Sequence, residues 1–543
     1  MPFQKYLFPS LLLTLAASAF AERAFDPQRY LGHLELGRST FVVTEEVSGL
    51  DVPWDVEAAA DGSIWFTQHA GSVSRLDPDT GEVIVTLESI PDLYNKKSLG
   101  LFGMALHPNF KDKPYVFLHY SYRLLAEDLS EIIKTRLVRY KFDGQRLGHP
   151  VTIFDEIPGK AYHNGSRIVI TQDEKLYLTT GDTGDTMGSL DPDKLTGKVL
   201  RMNLDGSVPK DNPTPGSYVW SLGHRNAQGL VLASNGKLYA SEHGPNNDDE
   251  VNLIQANSNY GWPIIEGFID QEREIENSKN QETVEPLTAW TPTLGASGLA
   301  YYENPSAPEW HNSLLLVALK GQVLRSLKLD ESGEKIESER IYFQKRFGRI
   351  RDITVAANGD IFFTTSNRDW HPRYQPWMYD GLPEDPDRII RLHLADTRLL
   401  DTLANLEHPI AIKEDPEPLP LLSENWSFPV SDEEMEQGQS LYMTHCAACH
   451  NPLGTGSPDL FPPLTNTDWV AGDKSRLIQT VLTGLSGPII VNGEKYDQEM
   501  PGFANLADQD LAAILSYIRR SFGNNANGVI PGEIYEERKG LKK

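Results

Sequence analysis

The sequence predicts an all-β six-bladed β-propeller followed by a small all-α domain, and three observations lead there. A strand-pair phrase recurs six times between residues 22 and 410, a proline-rich acidic stretch follows it, and beyond residue 431 the apolar residues switch from strand-like alternation to helical spacing. Each copy is a turn (Asp-Gly or Asn-Gly in the clearest cases), a strand that usually ends in Thr or Ser, a loop, and a second strand, often with an Arg and an Asp-containing turn.

The copies are DGSIWFTQHAGSVSRLD (61–77), KDKPYVFLHY with TRLVRYKFDG (111–144), DEKLYLTTGD with GKVLRMNLDG (173–206), NGKLYASEHG with DEVNLI (235–254), NSLLLVALKGQVLRSLKLD (312–330) and NGDIFFTTSN with DRIIRLHL (358–394). Their starts lie 46 to 77 residues apart, which is the length of a propeller blade, about 40 to 50 residues, with loop insertions added. A β-sandwich or two unrelated β-domains would also give many short strands, but neither predicts one phrase repeated six times.

The flanks of the propeller read differently. Lys5, the short apolar run Leu7 to Ala19 and the small-residue site Ala19-Phe20-Ala21 make residues 1–21 an expected secretory signal, which places the mature protein in the periplasm or outside the cell. No later apolar run approaches a membrane span. Residues 411–430, with EDPEPLP at 414–420, read as an extended linker.

In the second domain, 431–522, Ser431 and Glu434 form a capping box, and Met435, Gly438, Leu441 and Tyr442 share a helix face. A last helix follows Asp508 as its expected cap, with Leu511, Ile514, Leu515, Ile518 and Phe522 at helical spacing. Residues 523–543 read as a polar tail.

Charge excludes one class of partner. With 76 acidic against 50 basic residues, a net charge of −26 repels phosphate backbones, so nucleic acid is not expected to bind. Cysteine usage points the other way, to a specific ligand. The only two cysteines form Cys446-Ala447-Ala448-Cys449-His450, the C-x-x-C-H pattern in which two thiols bond haem vinyl groups and the adjacent imidazole meets the iron. A redox disulfide would want a βαβ context, and zinc would need further soft ligands. Between residue 451 and the C-terminus there is no histidine and one methionine, Met500, which makes it the local candidate for the second iron ligand. The alternatives are a Met that merely packs the core, with an iron that is five-coordinate or borrows a ligand from the propeller. Residues 431–522, including LFPPL at 460–464, resemble a class I cytochrome c.

A haem domain beside a propeller implies that electrons leave the propeller, yet residues 22–430 hold no dinucleotide-binding glycine motif and no cysteine. Polar motifs cluster instead: YHNGSRIVI (162–170), TTGDTGD (179–185), LGHRNAQGL (222–230), SEHGPNNDDEVNLI (241–254), NYGWP (259–263), ALKGQVLR (318–325) and RIRDI (349–353). In order and wording these segments resemble the glucose/sorbosone dehydrogenase family, the soluble glucose and aldose sugar dehydrogenases that carry pyrroloquinoline quinone on a six-bladed propeller. The resemblance covers most of residues 41–395.

The resemblance implies roles residue by residue. His163 of YHNGSR matches the family's catalytic base, which takes a hydroxyl proton while hydride leaves the same carbon, and Asp182 of TTGD matches an acidic residue beside it. Arg225 and Asn226 of GHRN, Lys320 of ALKG, and Arg349 and Arg351 of RIRD match contacts to the tricarboxylate quinone. The carbonyls of Gly244 and Pro245 match the holder of a quinone-bound calcium ion, and Glu250 with the Tyr260 carbonyl matches a structural calcium site. Two positions depart from the glucose enzymes, which have Gln at Ser98 and at His243, and WTPTLGASGLAYY (290–302) resembles the aldose branch.

The expected activity is oxidation of an aldose, or a related alcohol or aldehyde, with electrons passing to haem c and on to an external acceptor such as a soluble cytochrome or a membrane respiratory chain. Two other readings use parts of the same motifs: a calcium-stabilised binding propeller with an electron-carrier domain, and a propeller lactonase that leaves the haem idle.

Overall fold

The computed structural model describes residues 25–126, 130–245, 247–270, 272–279, 282–374, 382–415, 432–458, 460–472, 474–524 and 526–540. The expected signal segment, most of the expected linker and Ser431 lie outside these residues.

Six sheets of at least four strands, antiparallel but for one added parallel strand in each of two, form the propeller. Blade 1 runs from axis to rim as Pro53–Ala58, Ile64–Gln68, Ser72–Leu76 and Val83–Leu87. The innermost strands of blades 2 to 6 are Leu101–Leu106, Ile168–Ile170, Ala227–Leu232, Ala296–Tyr302 and Ile350–Val355. Each innermost strand touches the next, and the last touches Pro53–Ala58 to close the ring. The repeated phrase is the middle strand pair of every blade, as in Ile361–Thr365 with Asp387–Leu394 of blade 6.

The rim strand of blade 6 comes from the other end of the chain. Thr40–Leu50 pairs antiparallel with Asp387–Leu394, Phe41 opposite Leu394, so the ring is locked by its first and last strands. Ala411–Ile412 extends this sheet beside Tyr30–Glu35, and Asp415 bridges to Ile341. The start of the segment read as a linker is therefore sheet.

Apolar side chains of neighbouring blades interdigitate, with Trp65 edge-on to Phe110 and Phe142 at 5.6 and 5.0 Å. At the axis the packing is ionic. The Arg167 Nη1 donates to Asp55 (2.6 Å) and Asp352 (2.8 Å), tying blades 1, 3 and 6 together, and its guanidinium lies over Trp54 at 4.7 Å. The arginine of YHNGSR is thus the pivot of the ring.

The second domain is helical, with Asp432–His445, Ala447–His450, Asp468–Ala471, Lys474–Thr483 and Asp508–Arg520, plus one short hairpin, Ile489–Val491 with Glu494–Tyr496, that was not expected. Helices 432–445 and 508–520 cross at Gly438, where a Cβ would stand 2.3 Å from the Ala513 carbonyl; only glycine allows so close a crossing. Tyr442 is fully buried there.

Two local expectations change. Asp508 does not cap helix 508–520, because Ala507 holds the cap position without a side-chain bond, and Asp508 instead accepts from Arg538 Nε at 2.9 Å. That arginine belongs to Pro531–Gly540, a helix within the segment read as a polar tail. Its Ile534 is fully buried in the domain core and Lys474 pairs with its Glu533 at 2.7 Å. Sparse apolar residues hid the helix, since one buried isoleucine and two ion pairs suffice to anchor it. Among the described residues no helix is long and apolar enough to cross a membrane.

Candidate active site and haem crevice

In an antiparallel pair, the start of the first strand and the end of the second lie at the same end of the sheet. His163, Arg225 with Asn226, and Arg349 with Arg351 stand at or just before the innermost strands of blades 3, 4 and 6. Asp182, Gly244 with Pro245, and Lys320 follow the second strands of blades 3, 4 and 5. Topology therefore gathers these residues at one mouth of the propeller, where all but Asp182 and Lys320 line a cavity of about 450 Å³.

At one side of the cavity His163 Nδ1 donates to Asp182 Oδ1 at 2.8 Å. A carboxylate can only accept, so the neutral imidazole carries its proton on Nδ1 and Nε2 is the basic nitrogen. Asp182 is fully buried, and its Oδ2 accepts from Trp262 Nε1 at 2.9 Å. Burial pushes the Asp182 carboxyl up, but His163 and Arg225 outweigh it and hold the group below its usual range. Backbone geometry brings the pair together: His163 takes a left-handed φ of 51°, and at Gly181 of TTGD a Cβ would sit 1.9 Å from the His163 carbonyl.

Three arginines, Arg225, Arg349 and Arg351, line the same cavity. Arg349 and Arg351 both donate to Asp369 Oδ2, at 2.7 and 2.6 Å. Burial pushes the Asp369 carboxyl up, yet the two guanidinium groups pull it far below the carboxylate range. Arg225 donates to the His243 carbonyl at 2.9 Å and lies over Trp262 at 5.3 Å. Lys320 is buried and pushed down to about 8 by desolvation, against the pull of Asp249. Asn226 accepts from Gly165 N at 3.1 Å, which joins GHRN to YHNGSR.

Glu242 and Asp249 shape the loop between them. Glu242 accepts from the backbone N–H of Arg225 and of Asn226 (3.0 Å) and from His224 Nδ1 (3.0 Å). Asp249 accepts from Gly244 N at 2.8 Å, Leu294 N at 2.9 Å and Ala296 N at 2.8 Å, so Gly244 and Pro245 are presented to the cavity. Glu250 stands opposite Glu242 in the strand pair and accepts from Gly267 N (2.7 Å) and Asn252 Nδ2 (2.8 Å). Desolvation, reinforced by Glu242, pushes Glu250 up to about 8. The Tyr260 ring stacks on His224 at 4.6 Å. Among the described residues no group of three or more His, Cys, Asp or Glu is arranged to hold a metal; the candidate calcium donors are carbonyls and single carboxylates.

The donor set fits a polyanionic planar group. Besides the cations, both ring nitrogens of His69 and the Nε2 of His243 are buried without a hydrogen-bond partner among the described residues, and both histidines line the cavity. Desolvation lowers both imidazoles, His69 to about 4, so they stay neutral and can donate or accept toward a ligand. Ser98, one of the departures, also lines the cavity but spends its hydroxyl on the Ala161 carbonyl.

Sequence reasoning missed His69, Asp369 and His371, which line the same cavity. The signal was available, since the residues after the second strand of each repeat reach the mouth, and His69 and Asp369 hold that place in the first and last copies.

In the second domain Cys446 and His450 line an apolar crevice with Met500, walled by Val470, Leu477, Leu511, Ile514 and Ile518, and Cys449 lies one residue before His450. The His450 Nδ1 donates to the Pro462 carbonyl at 2.9 Å, which fixes the tautomer and leaves Nε2 as the ring's lone-pair nitrogen. Pro462 belongs to LFPPL. Met500 is held by a reciprocal bridge to Leu485, at 2.9 and 3.0 Å.

Comparison with known proteins agrees with this division. The glucose/sorbosone dehydrogenase family matches residues 50–371, and cytochrome c matches residues 435–521. Quinoprotein glucose dehydrogenase B of Acinetobacter calcoaceticus is 28% identical over 462 residues, 70% of this chain and 95% of that protein. The structure of the PQQ-bound aldose sugar dehydrogenase of Streptomyces coelicolor superposes with a TM-score of 0.55 at 30% identity, over 65% of this chain and 98% of that one. Cytochrome c-552 of Thermus thermophilus is 40% identical over 91 residues, 16% of this chain and 69% of that protein. The chain belongs to the glucose/sorbosone dehydrogenase family and carries a cytochrome c domain on the C-terminal side of its propeller.

Proposed function

We propose that this chain is an exported quinohaemoprotein that oxidises an aldose, or a related alcohol or aldehyde, and passes the electrons to its own haem c and then to an external carrier. The observation that carries this reading is one cavity lined both by an oriented base, His163 on Asp182, and by arginines fixed on a buried carboxylate, Asp369. Pyrroloquinoline quinone, when bound, supplies the hydride acceptor, and its carboxylates suit Arg225, Lys320, Arg349 and Arg351. Asn226 positions the YHNGSR loop.

His163 Nε2 takes the substrate hydroxyl proton, and Asp182 keeps the imidazole aimed and favours its charged form. The Gly244 and Pro245 carbonyls would hold a calcium ion in the cavity, an oxygen-only site proper to a hard cation. Glu250 with the Tyr260 carbonyl would hold a second one. Cys446 and Cys449 bond the haem, and His450 and Met500 ligate its iron. A lactonase leaves the haem crevice without a task, and a binding-only propeller leaves the oriented base without one.

The test is reconstitution. Protein stripped with a chelator is expected to show no dye-linked oxidation of any sugar in a panel, and to regain it only with calcium and quinone together. Full activity after exhaustive chelation, with no quinone extractable, contradicts the reading.

A further inference from the structure

His163 belongs to two cavities. Besides the 450 Å³ cavity, it lines a narrow crevice with Asp182, Trp262 and Thr186, and the opposite wall of that crevice is the haem domain. Half of that wall is helix 508–520, through Gln509, Ala512, Ala513 and Ser516, with Gln437 of helix 432–445 and residues 529–531 beside it. Their spacing of i, i+3, i+4 and i+7 is one face of a helix. Leu511, Ile514 and Ile518 of the same helix line the haem crevice, and at 3.6 residues per turn the two faces point about 180° apart. One helix therefore separates the His163–Asp182 pair from the crevice that holds His450 and Met500.

Resting on the proposed function, we infer that helix 508–520 is the fixed partition through which the propeller passes electrons to the haem, with the haem domain docked on the catalytic mouth. Its propeller-facing side is small, which keeps the separation near one helix diameter, about 10 Å. The docking surface is braced from both sides. Ser516 Oγ donates to the Val529 carbonyl (2.9 Å) and accepts from Val529 N (2.8 Å), so residues 529–531 join the wall. On the propeller, Thr186 stands on a short turn anchored by the buried Lys198, whose ammonium donates to the carbonyls of Gly188 (2.9 Å), Ser189 (2.8 Å) and Thr196 (2.6 Å).

Oxidising one CH–OH to a carbonyl releases two electrons and two protons. Two successive one-electron transfers across the partition would balance the electrons, with the external acceptor reoxidising the haem between them, and the two protons would leave to solvent, the hydroxyl proton by way of His163 Nε2.

Two variants of the intact, fully loaded protein test the partition. Thr186→Trp wedges the crevice from the propeller side while leaving the base and the iron ligands themselves in place. It should slow substrate-driven haem reduction by about tenfold or more, with dye-linked turnover and the haem spectrum unchanged. In Thr186→Cys/Gln509→Cys a short bismaleimide should join the two domains in high yield, read as a cross-linked peptide, and the bridged protein should reduce its haem at the parental rate. Haem reduction unaffected in Thr186→Trp, absence of the cross-link, or a bridged protein slowed about tenfold would each overturn the inference. The cross-link forms without cofactor chemistry, so failure of sugar oxidation itself, seen as absent dye-linked turnover in the parent, is distinguishable from failure of the docking.

Discussion

Two buried guanidinium groups side by side repel, and Arg349 and Arg351 stay together because Asp369 accepts from both. In cofactor-free protein, Asp369→Asn should cost about 3–5 kcal/mol at pH 7, since it leaves buried charge uncompensated. The folded pKa of Asp369 is depressed, so its contribution is complete above the ordinary aspartate pKa, about 3.9, and disappears only as pH falls through the folded value. Unfolding of both proteins followed from pH 7 to pH 2 checks this. The gap should persist at pH 4 and close only in stronger acid; a gap that closes between pH 7 and pH 5 would show that another group is responsible. Asp369 also marks what residue-level reading could not reach. Arg349 and Arg351 stand in a recognisable motif, whereas their shared counter-ion sits in a loop whose meaning appears only when blade 6 folds. The same holds for Glu242, which gathers the backbone of GHRN.

Elements were legible wherever they repeat. The six phrases became the middle strand pairs of six blades, because alternation and turn chemistry are local properties. The closing strand was not legible, since pairing Thr40–Leu50 with Asp387–Leu394 is a long-range choice. The C-terminal helix was missed for a compositional reason, as its anchoring rests on Ile534 and the ion pairs of Glu533 and Arg538. Truncating Ile534 to Ala should remove about 2–5 kcal/mol from the haem domain. Calorimetry should show the haem-domain transition lowered and the propeller transition unmoved. Equal lowering of both would mean that helix 531–540 stabilises the chain as a whole.

At the scale of the whole molecule, the acidic surface, the cationic cavity inside it and the apolar crevice beside it divide one task. The cavity carries the oriented base and the sites for a polyanionic cofactor, and the haem domain closes against the same mouth. The central claim is that substrate oxidised at the propeller reduces the haem of the same chain. Its most direct measurement is anaerobic stopped-flow mixing of the fully loaded, oxidised protein with excess aldose, following the haem band at several protein concentrations in the parent and in His163→Ala. The haem should become reduced at a rate independent of protein concentration, and about 10²- to 10⁴-fold more slowly in His163→Ala, the range expected for loss of a general base. A haem that stays oxidised while a dye is reduced, a rate that rises in proportion to protein concentration, or a His163→Ala variant as fast as the parent would contradict it.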